Sequence, residues 1–191
     1  TSLLEARLIA GSRTLFGELH DRIHDGFDSQ AFFKAKRLEQ EQRHAKFQDS
    51  PYSLEPNLKE APGGLRDLQV VLWVSRASGL GRDWRSLAAR GLVTREEAVQ
   101  LKRHADWLAR VRIRLHLLAG RREDRILFDY QDALAKAFGF AATPTKRASE
   151  VFMQRYFRTA KAVTQLNTTV LQNLGAAIFP VTFAVVACRL S

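Results

Sequence analysis

A chain of 191 residues, 46% of them hydrophobic, is long enough for one domain with a real core, and it is too poor in proline and glycine for a disordered tail. One cysteine, Cys188, excludes an internal disulfide framework and a cysteine-cluster metal site, and fits a reducing, cytoplasmic setting. Lys and Arg outnumber Asp and Glu by 30 to 20, and the resulting +10 suits an anionic partner; the aromatics, however, fall at apolar helical positions rather than between the cations, which argues against a nucleic-acid stacking surface.

The first residues lack the charged, apolar, small-residue order of a leader. Thr1 is no initiator, so the expectation is an excised or processed piece. Residues 2–10 read as a short helix ended by Gly11. Residues 12–25 read as a second, with Leu15, Phe16, Leu19 and Ile23 as its buried stripe. His20 and His24 are four apart and could share a metal, but with no second paired motif they read as two solvent-facing histidines. Ser29 is placed to cap a third helix over 29–48. Phe32, Phe33, Leu38 and Phe47 mark its inner face, and its charges form a solvated outer one. Arg37, Arg43 or His44 could meet an anion if this helix packs near the turn that follows.

Residues 49–64 carry Pro51, Pro56 and Pro62 and no helical period, with Tyr52, Leu54 and Leu58 alternating as in a short extended segment over 52–58. A loop that long in a compact domain is commonly functional. Its end, Asn57-Leu58-Lys59-Glu60-Ala61-Pro62-Gly63-Gly64-Leu65-Arg66-Asp67, is the chemically dense stretch of the chain. Pro62 fixes its own φ, and Gly63 and Gly64 permit φ > 0 and leave no Cβ between backbone and ligand. A helix then begins, so free N–H groups and a positive dipole end are expected beside Lys59 and Arg66, the elements of an anion pocket. Glu60 and Asp67 could hold a divalent cation against a phosphate. Asp67 in the first helical turn equally complements the dipole, and Pro-Gly-Gly is equally a tight turn.

From Leu65 the helix runs to about Ala77 with Leu68, Val71, Leu72 and Trp73 inward. A short one over 84–89 stops at Gly91. Thr94 and Glu97 form a capping box that opens a long helix to about Ala119, ended by Gly120. Ile126, Leu127 and Phe128 are expected to dive into the core, and Asp129 to cap a helix over 130–138. A last long helix over 146–174 carries a continuous apolar stripe from Val151 to Leu174. The apolar run 176–188 is broken by Pro180 and falls short of the about 20 residues that span a bilayer, so no membrane role is expected. The fold class is therefore all-α, a bundle of about six to eight helices with one Gly/Pro-rich loop. No P-loop, Gly-x-Ser-x-Gly elbow or His-Glu-x-x-His motif is present. By motif alone this is a binding or positioning domain.

Several stretches occur in a fixed order: Leu4-Glu5-Ala6-Arg7-Leu8-Ile9-Ala10-Gly11, Phe33-Lys34-Ala35-Lys36-Arg37, Glu41-Gln42-Arg43-His44, the 57–67 turn, and Arg125-Ile126-Leu127-Phe128-Asp129. This order resembles the bifunctional PII uridylyltransferase/uridylyl-removing enzymes of bacterial nitrogen control, over nearly the whole chain to about Pro180. The resemblance implies a longer parent. In that family a nucleotidyltransferase domain moves UMP from UTP to a tyrosine of PII, with Mg²⁺ on an Asp-x-Asp pair. A helical domain, an HD phosphohydrolase domain that removes UMP, and glutamine-sensing domains follow.

Neither the Asp-x-Asp signature nor the HD motif is present, so no residue of this chain is assigned as catalytic. The resemblance divides the chain into 1–67, the end of the nucleotidyltransferase domain; 68–180, the helical domain; and 181–191, an unassigned tail. It implies nucleotide contacts at Lys59, Glu60, Gly63, Gly64 and Arg66, and metal support at Asp67. Ala61 stands where the family usually has glycine, which puts the loop geometry in question. The isolated chain is expected to be inactive and to need UTP or UMP, PII and the remaining domains of the parent as partners. Two alternatives stay open: a fragment of a glutamine synthetase adenylyltransferase, and a non-catalytic basic helical module for interaction or RNA binding.

Overall fold

The computed structural model describes residues 2–25, 27–47 and 52–180. Among them are seven α-helices: α1 (Arg13–Asp25), α2 (Ser29–Ala45), α3 (Leu65–Ala77), α4 (Trp84–Ala89), α5 (Arg95–Ala119), α6 (Phe128–Ala137) and α7 (Ala148–Ile178). The described residues form no β-strand, only two isolated bridges, so the class is all-α as the periodicity predicts. The tail 181–191, the 48–51 stretch and the side chain of His24 lie outside the described residues.

The core is built by α3, α5, α6 and α7. Leu68, Val71 and Val74 of α3 meet Leu101, Leu108, Val111 and Leu115 of α5, Leu134 of α6, and Phe152, Tyr156, Val163, Val170 and Leu174 of α7 in one cluster. Each such Leu taken out of water contributes about 1.5–3 kcal/mol. The Thr94–Glu97 box closes as expected. Thr94 Oγ1 accepts from the Glu97 amide at 3.1 Å, and Glu97 Oε2 accepts from the Thr94 amide at 2.8 Å. Gly120, at φ 63°, ends α5 in the left-handed region.

Several expectations are corrected. The first helix is only a 3-10 turn, Ser2–Glu5, and Leu8 and Ile9 beyond it are exposed. On α1, Leu15 (66%) and Leu19 (45%) are exposed rather than buried, and on α2 so is Leu38. Asp28, not Ser29, caps α2, accepting from the Ala31 amide at 2.9 Å, and the helix ends at Ala45. The 52–58 segment is no strand. It makes one antiparallel bridge, Asn57 to Arg125, and Tyr52 and Leu54 are exposed. Helix α6 opens at Phe128 with no side-chain cap, and the Phe128 amide bonds Glu55 Oε1 at 3.0 Å. Phe128 is exposed, and Ile126 is the residue that dives into the core. The domain line at 67/68 would fall inside α3, and Leu58 on one side shares a core cluster with Leu68 on the other.

Helix α7 lies directly on the glycine turn. A Cβ built on Gly63 would sit 2.1 Å from the Ala160 carbonyl oxygen and 2.8 Å from its Cα, and Gly63 has φ 76°. Backbone cannot give way as a side chain can. Gly63→Ala should therefore cost about 2–5 kcal/mol, from a left-handed Cβ penalty and an overpacked contact together. Gly79→Ala, at φ 64° with open space around it, should cost only about 1–2 kcal/mol. Urea unfolding of both variants checks this. Equal losses would mean that α7 does not press on Gly63.

Candidate functional site

The 57–67 turn is tied to itself before it is tied to anything else. Asn57 Oδ1 accepts from the amides of Lys59 at 3.0 Å and Glu60 at 2.8 Å, an Asx turn. The carbonyls of Leu58, Lys59, Ala61 and Gly64 then accept from the amides of Leu65, Arg66, Gly64 and Asp67 at 3.0, 2.9, 2.9 and 3.2 Å. The donors expected to stand free at the start of α3 are spent inside the loop. A Cβ on Gly64 would fall 2.8–2.9 Å from three of those carbonyl oxygens, and residues 61–64 are all buried. So the glycines open the backbone to the protein's own atoms, Gly63 to α7 and Gly64 to the loop. The expectation of an open backbone cradle is corrected on this point. The short segment 124–126 holds the outer edge, with the Leu58 amide on the Asp124 carbonyl at 2.8 Å and the Ile126 amide on that of Pro56 at 2.9 Å.

Asp67 is fully buried and is bonded to both α2 and the turn. Its Oδ1 accepts from Arg43 Nη2 at 2.7 Å and Gln40 Nε2 at 3.0 Å, and its Oδ2 from the Gly63 amide at 2.8 Å. His44 Nε2 lies 2.9 and 3.1 Å from the two oxygens, and must be the donor because an ionised carboxylate only accepts. Burial alone raises the carboxyl pKa. The His44 hydrogen bond and charge, the Arg43 charge and Gln40 outweigh it and leave Asp67 below the usual aspartate value. A metal ion at Asp67 would have to displace these partners. Beneath lies the Tyr156 hydroxyl, buried and without a hydrogen-bond partner among the described residues. Burial, with the nearby Asp67 charge, pushes its ionisation far upward.

Glu60 organises the rim. Its Oε1 is 3.3 Å from Lys59 Nζ and 3.2 Å from Arg66 Nη2, and its Oε2 is 3.7 Å from Arg43 Nε. Burial raises its pKa, but Arg66 and Lys59 prevail and hold it below the usual glutamate range. Arg66 also donates to Gln69 Oε1 at 3.0 Å and lies over the Trp73 ring. Of the residues singled out in the sequence, Lys59, Glu60 and Arg66 thus form one partly exposed cluster, while Gly63, Gly64 and Asp67 lie beneath it. Arg43 and His44 do pack at the turn, with Asp67 as their anion. Arg37 instead pairs with Glu41 on the exposed side of α2. Gln40, Ala160 and the Arg112–Asp124–His116 cluster were not legible. Asp124 takes Arg112 Nε at 2.5 Å and His116 Nε2 at 3.2 Å, and only the small residue in the apolar stripe of α7 hinted at close approach near Ala160.

This architecture defines a class: an all-α domain that locks a glycine turn on a buried carboxylate and presents a short cationic rim. A family model described as GlnD PII-uridylyltransferase matches residues 31–171, and the chain belongs to that family. It is similar to the bifunctional uridylyltransferase/uridylyl-removing enzyme of Aromatoleum aromaticum, at 59% identity over 94% of this chain and 21% of that protein. The enzymes of the same name from Burkholderia orbicola and Burkholderia thailandensis are 57% and 56% identical over 95% and 97% of this chain, and 21% and 22% of their own lengths. The chain therefore spans about a fifth of the length of the curated relatives it matches. No solved structure matches it. The family match displaces the adenylyltransferase alternative.

The Asp67 carboxyl holds its proton more weakly in the folded than in the unfolded chain. Its contribution is complete above the ordinary aspartate value near ~3.9 and is lost as pH falls through the lower folded value. Asp67→Asn should cost about 3–5 kcal/mol near neutral pH, because it leaves Arg43 facing a neutral amide, and should flatten the acid limb of the stability profile. A role confined to the helix dipole would cost about 0.3–1 kcal/mol. Guanidinium unfolding of both forms from pH 7 down to acid unfolding separates the two.

Proposed function

We propose that this chain is a working part of a bifunctional uridylyltransferase, one that transfers UMP from UTP to a tyrosine of PII and removes it again by hydrolysis. The observation that carries this reading is the 59% identity to such an enzyme over 94% of the chain. In this reading the Mg²⁺ and the catalytic carboxylates belong to parts of the parent outside residues 1–191, so the isolated chain has no transferase activity. The parent works in the cytoplasm, in keeping with the single cysteine.

The chain's own contribution is positional. Lys59 and Arg66 are the partly exposed cations of the turn, with side chains 18% and 21% exposed, and they are held by Glu60 at a fixed spacing. They neutralise phosphate oxygens of the nucleotide as point charge and fork. Glu60, Gly63 and Gly64 act on the nucleotide indirectly, by shaping and pinning the loop. Asp67 supports the site from beneath through Arg43 and Gly63.

In the full-length parent, Lys59→Ala and Arg66→Ala should each raise the KM for UTP about tenfold or more, the worth of one charge-assisted hydrogen bond, with circular dichroism and melting temperature close to those of the unmodified enzyme. Unchanged KM values in well-folded variants would refute the contact. Steeply salt-dependent binding to RNA and other polyanions without nucleotide preference would instead favour a basic interaction module.

A further inference from the structure

Helix α1 stands away from the body. It has no extensive packing against any other helix, and the 3-10 turn before it is what touches α3. Between α1 and the corner joining α3 to α4 lies a cleft of about 950 Å³. One wall is apolar, from Phe16, Leu19 and Ile23 of α1. The other is cationic, from Arg82 and Arg90, and Arg7 also lines the cleft. The acids on its lining are already engaged, Glu5 with Arg76 Nη1 at 3.0 Å and Asp83 with the Ser86 amide at 2.8 Å in the α4 cap. Arg82 Nη2 reaches His20 Nε2 of α1 at 3.0 Å and ties the two walls together. Leu3 of the lining is exposed, as are Leu8, Ile9 and Leu15 in the same N-terminal stretch. An apolar wall facing a cationic one is half of an amphipathic interface.

We propose that this cleft seats an acidic amphipathic segment of the parent polypeptide from outside residues 1–191. Its apolar side would lie on Phe16, Leu19 and Ile23, and its carboxylates would face Arg7, Arg82 and Arg90. Two observations select this occupant. A second copy of a +10 chain would bring its own positive charge to a cationic wall. The chain also spans only 21% of the relative it matches at 59% identity, so most of such a parent is polypeptide not yet placed. A nucleic acid would satisfy the arginines but leave the aliphatic wall uncovered. The proposal rests on the reading of the chain as part of a longer enzyme.

The test is photo-cross-linking in the full-length parent, with p-benzoylphenylalanine in place of Leu19 and, in a second preparation, of Leu15, and the linked peptides read by mass spectrometry. The expected result is a cross-link from position 19 to an acidic segment of the same polypeptide outside residues 1–191. It should be lost when Arg82→Glu and Arg90→Glu are combined, since like charge then faces the acidic side. Links only within residues 1–191, to a second copy or to another protein overturn the proposal, as does no link at all. UTP-dependent transferase activity is measured in the same preparations. Its absence in the unmodified parent speaks against the proposed function, and its presence with a failed cross-link speaks against the cleft alone.

Discussion

The fold depends on one buried charge. A carboxylate removed from water costs several kcal/mol unless every lone pair finds a donor, and Asp67 finds four: Arg43, His44, Gln40 and the Gly63 amide. Those donors come from α2 and from the turn, while Asp67 itself starts α3. The single group thus fixes three pieces of chain relative to one another. Helix α2 needs this more than the others. Its Leu38 is exposed and the residues it buries fully are Gln40 and Arg43, so polar bonds act beside the partly buried Phe32 and Phe33 in setting its register. A buried ion pair of this sort is weak as net stabilisation against a hydrophobic replacement, but it tolerates one arrangement only.

The same group explains why the glycines are where they are. Asp67 draws the Gly63 amide inward, which brings Gly63 against the Ala160 backbone of α7, where no Cβ fits. Gly64 is then surrounded by the loop's carbonyls, which accept the first amides of α3. The helix start is satisfied from within the loop. Two glycines before a helix have two physical explanations, approach of a ligand or approach of the chain to itself, and the hydrogen bonds decide for the second here.

The sequence displays what is periodic and hides what is not. Helices α3, α4 and α5 fall where their apolar spacing and caps put them, because their stripes are continuous and end at Gly79, Gly91 and Gly120. Lys59, Glu60 and Arg66 belong to one short turn of the chain, so their meeting is legible too. The partners of Asp67 are legible only in part: Arg43 and His44 stand out as anion contacts, but nothing points to Gln40 or to Asp67 as the anion, because Gln40, Arg43 and His44 lie 23–27 residues upstream on a face that reads as solvated. Leu15 and Leu19 were misread for a related reason. An amphipathic period shows that a face needs covering, and it is identical whether the cover is this domain's core or another polypeptide segment. The distinction rests on tertiary packing, of which α1 has little against the other helices.

Glu60 links this internal satisfaction to ligand chemistry. It pairs with both Lys59 and Arg66, whose side chains are only partly exposed, and one carboxylate against two cations leaves the rim a net positive charge. A single carboxylate in fixed geometry is a weaker anion than a polyphosphate. A triphosphate brings several charges and can take Arg66 in bidentate fashion, which Glu60, touching it through one oxygen, does not. Binding would then be an exchange of anions rather than the filling of an unpaired site, with its net gain set by the difference between phosphate and carboxylate. Glu60 thus keeps the two cations aligned, and in the proposed role it would favour ligands of higher charge than the glutamate itself.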